Sequence, residues 1–172
     1  MIPKVKKKVT HRRENNKIYG RKQGEYDFLK NWAIIRKWAI ITYGLKSTAD
    51  LEILMFLYSE KLFTRTQFAE YSNFLSWDKD RFNRLLREDW IYIWRHRNHQ
   101  EAHLYEVSYK GKKMINSIYK KLLGLEPIPE STRRNKIFLK TAPFSHKTLA
   151  IAIKNHNKEL KERKQRPSLG LQ

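Results

Sequence analysis

Apolar positions along this chain recur at two different periods, and the point where one gives way to the other marks the architecture. From about Tyr26 to Tyr43, Phe28, Trp32, Ile35 and Ala39 fall on one stripe at helical spacing. Leu29, Ile34, Trp38 and Ile41 make much of the remaining circumference apolar. A helix of this kind needs burial on more than one side, either at a dimer interface or over the core of its own domain. A second helix follows Ser47, whose hydroxyl suits an N-cap, with Asp50 in the first turn and Leu51, Leu54, Met55 and Tyr58 facing inward. Thr64 and Gln67 fit a capping box for a third helix, with Phe68, Ala69 and Tyr71 behind them. A fourth helix is expected from Ser76 or Asp78 to about Asp89, with Phe82, Leu85 and Leu86 inside.

The period then drops to two. Ile91–Trp94 and Leu104–Val107 read as paired strands, joined by a polar tip containing Arg97, Asn98, His99 and Gln100. A fifth helix opens after Ser108 and closes at Gly124, with Ile115, Ile118 and Leu122 as its stripe. Glu126–Pro129 breaks the chain and reads as a linker. The last helix, from Ser145 to about Arg163, offers only Leu149, Ile153 and Leu160, a face too thin to hold a helix without a partner. The expected fold is mainly α with a small β-hairpin: a winged helix-turn-helix with basic N- and C-terminal extensions. Its parts are a basic arm over 1–24, a winged-helix domain with a leading helix over 25–124, and a linker with a basic helical extension over 125–172.

Charge gives this frame a partner. The 172 residues carry 37 Lys and Arg against 17 Asp and Glu, a formal +20. Residues 1–24 hold +8 and residues 125–172 hold +7, so the two ends carry most of the excess. Charge of one sign on this scale repels itself and favours a polyanion. The first segment has little apolar periodicity and reads as an arm ordered only on binding, with Lys6, Lys7, Lys8, Arg12 and Arg13 on phosphate. Cysteine is absent, which excludes disulfides and thiolate metal sites. The basic N-terminus has no apolar stretch behind it, as a secretory signal would. The apolar helix carries Arg36 and Lys37 in its middle, so no membrane role is expected.

In the winged arrangement the fourth helix enters the major groove and the hairpin touches backbone or minor groove. Lys79, Arg81, Asn83, Arg84 and Arg87 are read on or beside the outward face of that helix, Arg95, Arg97 and His99 on the wing, and Lys110, Lys112 and Lys113 at the start of the fifth helix. Trp77, Trp90 and Trp94 have rings that can stack on bases, but core packing is the preferred reading of Trp90 and Trp94. No Cys or clustered carboxylate joins His96, His99 and His103, so no metal is expected. Asp78 and Asp80, a pair of the kind found in metal nucleases, sit where Asp78 caps a helix. No glycine-rich phosphate loop and no activated Ser accompanies them, so neither catalysis nor a cofactor is expected.

The stretch from Leu45 to Gly124 resembles the MarR-type winged-helix proteins. The parts read LEILMFLYSEKLFTRTQFAEY, DKDRFNRLLREDWIYIWR, RNHQEAH and LYEVSYKGKKMI, the last similar to the family's VSLTxxG. The resemblance implies DNA binding by a dimer held through first and last helices. The sequence departs from the family at the wing tip, where Asn98, His99 and Gln100 replace an Asp and Arg pair, and after the recognition helix, where Trp90 stands for a Gly. Asp78 and Asp80 also oppose phosphate. The expected function is non-enzymatic nucleic-acid binding, of DNA ahead of RNA, by a homodimer or larger assembly in the cytoplasm or on the nucleoid. The alternative is a structural protein of a virion or other nucleoprotein assembly, with the winged helix as scaffold and the arms as tethers.

Overall fold

The structure is a computed structural model that describes residues 28–71 and 78–165. The arm residues Lys6, Lys7, Lys8, Arg12 and Arg13, the expected helix start at Tyr26, and Ser76 and Trp77 lie outside them. The chain is mainly helical with a small antiparallel sheet. Its elements run α1 (Phe28–Tyr43), α2 (Thr48–Glu60), β1 (Leu62–Phe63), α3 (Arg65–Tyr71), α4 (Lys79–Arg87), β2 (Ile91–Arg95), β3 (Leu104–Val107), α5 (Tyr109–Leu122), a 3-10 turn (Lys136–Phe138) and α6 (Phe144–Gln165).

Local chemistry sets most of the boundaries. Ser47, Asp78 and Ser108 each accept the backbone N–H three residues on, which caps α2, α4 and α5. Thr64 and Gln67 close the expected capping box in both directions, at 3.2 and 2.8 Å. β1 is a two-residue strand that the alternation did not reveal. It pairs with β3, giving the order β1-β3-β2. The left-handed turn after α4 falls on Asp89, at φ 57°, rather than on Trp90. Asp tolerates that conformation better than most side chains, which removes the need for a glycine there.

The core lies between α1, α2 and α5 on one side and the sheet on the other. α2 sits at its centre, with Leu51, Ile53, Leu54 and Leu57 all fully buried. Phe82 of α4 meets Phe68 of α3 edge-on at 4.8 Å and Tyr105 of β3 at 5.0 Å. This aromatic cluster fixes α4 against α3 and the sheet.

The C-terminal region changes the picture drawn from sequence. α6 packs on α1 and on the 3-10 turn, burying Leu149, Ile153 and Leu160. The partner that its thin apolar face required is the same chain's first helix. His156 of α6 shares a buried 2.9 Å hydrogen bond with Asn31 of α1. The segment read as a linker is clamped: Asn157 accepts from the Ile128 N–H at 2.9 Å and donates to its carbonyl at 2.8 Å. Ile128 is 1% exposed. α1 is therefore covered on a second side by its own chain.

Candidate nucleic-acid interface

The exposed positions of α4 are Lys79, Asp80, Asn83 and Arg87. Lys79, Asn83 and Arg87 are four residues apart and form one line along the helix. Arg65, the first residue of α3, lies beside this line. Its guanidinium donates to Asn83 Oδ1 at 2.8 Å and rests over the Phe82 ring, 5.0 Å from its centre. Sequence reasoning missed Arg65. Its signal was its place directly after the Thr64 cap, where a helix begins and a side chain is free to reach a neighbour.

Arg81 and Arg84 are corrected. Both turn inward to Asp50 of α2, which is 2% exposed: Arg84 Nη2 reaches Asp50 Oδ1 at 2.5 Å and Arg81 Nε lies 3.3 Å from the same oxygen. A carboxylate inside a core requires compensating charge, and these two arginines supply it. They hold α4 on α2 rather than standing free on its outer face.

The hairpin tip and the start of α3 enclose a surface groove of about 330 Å³, lined by Arg65, Thr66, Arg97, His99 and His103 among others. Arg97 and His99 are exposed. Asn98 Oδ1 accepts from the N–H groups of Gln100 and Glu101, at 3.0 and 2.8 Å, which shapes the tip. The Arg97 N–H donates to His103 Nδ1 at 3.1 Å. Arg95, expected on the same surface, pairs with Glu101 at 2.8 Å.

Trp90 is buried as expected, but Trp94 is corrected: it is 51% exposed. Ile91 and Ile93 take the inner positions of β2, so alternation places Tyr92 and Trp94 outside. The register slips between Ile93 and Arg95, which leaves Trp94 as the extra residue.

The lysines of α5 divide. Lys110 donates to the Glu88 carbonyl at 3.2 Å and sits 3.9 Å above the Trp90 ring. Lys112 is hydrogen-bonded to Glu106 of β3. Burial pushes the Glu106 carboxyl up, but the hydrogen bonds from Lys112 and Tyr92 outweigh it and hold the group below the ordinary glutamate value. The hydrogen bond to Glu106, aided by burial, raises the Tyr92 hydroxyl. Lys113 is exposed.

Among the described residues the structure thus brings together Arg65, Lys79, Asn83 and Arg87, with Arg97 and His99 at the hairpin tip. It draws Arg81, Arg84, Arg95, Lys110 and Lys112 into contacts within the protein. No group of three or more His, Asp or Glu among the described residues is arranged to hold a metal ion. No described helix is long and apolar enough to cross a membrane. No protein-family model matches the chain, and the comparisons with curated proteins and with solved structures each found no match.

Proposed function

We propose that this chain is a non-enzymatic nucleic-acid-binding protein of winged-helix type, with duplex DNA its partner ahead of RNA. One observation carries the reading. The succession α2-β1-α3-α4-β2-hairpin-β3-α5, with sheet order β1-β3-β2, supports a helix-turn-helix with a wing. Its recognition position falls to α4, the helix whose exposed line is Lys79, Asn83 and Arg87. A chain of formal charge +20 makes a polyanion the natural ligand.

A second reading has its own support. Sequence reading requires side chains aimed at base edges. Two of the arginines on α4 are committed to Asp50, and Asp80 is exposed on the same helix. This inventory favours contact with phosphate over discrimination among bases, as in a structural protein of a nucleoprotein assembly or virion.

The test is selection from random duplexes, followed by competition with unrelated DNA at physiological salt. Binding in proportion to length with slight selectivity is expected. Replacing Arg65, Arg87 and Arg97 together by Ala should weaken it on every sequence. A motif preferred by about a thousandfold or more would restore a sequence-reading regulator. Failure to bind duplex or single strands at all would end the nucleic-acid reading.

A further inference from the structure

A 22-residue helix, about 33 Å long, closes the described chain. Leu149, Ile153, His156, Asn157 and Leu160 are its buried positions. On the other side Lys147, Lys154, Lys158 and Lys161 are exposed. At 100° per residue these four lie within about 60° of arc and span about 21 Å. The helix therefore carries a straight cationic line. Its opposite face is locked to α1 by apolar packing and by the His156–Asn31 hydrogen bond.

We propose that this lysine line is a second phosphate-binding face, which lies along the backbone of a nucleic-acid duplex independently of α4 and the hairpin. The inference rests on the nucleic-acid reading above and adds a site to it. Duplex DNA presents one charge per about 1.7 Å of axis, so four lysines over this length find phosphates without exact register. Glu162 borders the line and reaches Lys158 at 3.9 Å, but both side chains are more than half exposed. A pair that long and that wet competes weakly with phosphate. A membrane surface fits less well. A helix that binds one inserts a continuous apolar face, and here the continuous face, Leu149, Ile153 and Leu160, is spent on α1 and the 3-10 turn, which leaves only Phe144 and Ile151 exposed beside the lysines.

The experiment is a salt titration of the full chain on a 30-base-pair duplex of random sequence, read by fluorescence anisotropy. Three variants are compared with the parent: Lys147→Gln, Lys154→Gln, Lys158→Gln and Lys161→Gln combined; the same four changed to Arg; and a control with Lys37, Lys61, Lys136 and Lys140 changed to Gln. The control removes equal charge from exposed positions elsewhere. With about 0.9 in log–log slope per phosphate, the stripe variant should lose up to about 3.6 of slope and more than tenfold in affinity near 0.15 M salt. The Arg variant should bind like the parent, and the control should lose less than a third as much slope. Circular dichroism checks folding; should the fourfold Gln variant unfold, the pairs Lys147/Lys154 and Lys158/Lys161 are neutralised separately, each expected to take about half the effect. Equal losses in the stripe and control variants would overturn the inference and leave the α4 reading standing. So would loss of binding to phosphatidylserine vesicles with an unchanged duplex slope. A parent that binds no duplex would remove both.

Discussion

Gly111 offers a direct test of how α5 seats on the sheet. It is buried in the first turn of α5. A Cβ added there would lie 2.6 Å from Val107 Cγ1 and 3.2 Å from the Trp90 carbonyl oxygen. The same oxygen accepts from the Ser108 N–H at 2.9 Å, so it cannot retreat without straining the start of α5. Val107 is 1% exposed and β-branched, with few rotamers to escape into. Gly111→Ala therefore sets two effects against each other. Ala gains about 1 kcal/mol of helix propensity over Gly. Overpacking costs about 1–3 kcal/mol, and a 2.6 Å approach belongs at the upper end. The net expectation is destabilisation by about 2 kcal/mol, a fall of roughly 4–8 °C in Tm for a chain of this size. Urea denaturation followed by tryptophan fluorescence measures it. A double-mutant cycle with Val107→Ala isolates the cause, because removing the γ-methyls should relieve the clash and give a favourable coupling of about 1 kcal/mol or more. A Gly111→Ala protein as stable as the parent, or more so, would refute this account of how α5 packs.

Two further substitutions test other parts of the fold. Asp50→Ala should cost about 2–4 kcal/mol in urea denaturation, below the range for a fully buried pair because Arg81 and Arg84 retain about a fifth of their side-chain exposure; an unchanged midpoint would return both arginines to the surface. Glu106 has a folded-state pKa below its ordinary 4.5, so it adds stability above that pH and loses it as pH falls through the lowered value. Glu106→Gln should therefore lower stability at neutral pH and flatten its decline into acid, and parallel pH–stability curves would show that the Lys112 and Tyr92 bonds do not hold.

What the sequence made legible was local. The caps at Ser47, Asp78 and Ser108 and the box at Thr64 and Gln67 each involve residues three apart, and each formed as read. The strand pair was legible because alternation over four residues is a strong signal, while β1, at two residues, has no period to detect. Arg81 and Arg84 were misplaced because helical phase alone puts them near the outer face. The buried carboxylate that draws them in lies 34 residues before Arg84. Trp94 was read as core packing alongside Trp90, although the alternation beginning at Ile91 already placed it outward. The docking of α6 turns on Asn31 and His156, 125 residues apart, a separation over which no periodicity carries information.

That docking bears on how a second copy of the chain would associate. The resemblance to MarR-type proteins implies a dimer joined through first and last helices, and the all-round apolar character of α1 points the same way. Here the first and last helices of one chain pack on each other. Ile35, Trp38 and Ala39 are already buried, and the polar pair Asn31–His156 fixes the register of the contact. An apolar face alone would accept either a second copy or α6. A buried hydrogen bond discriminates, because a partner that fails to supply it leaves Asn31 unsatisfied at a cost of about 1–3 kcal/mol. A dimer built on this stretch of α1 must either exchange α6 between copies, keeping the bond, or displace it and lose both the bond and three buried aliphatic side chains.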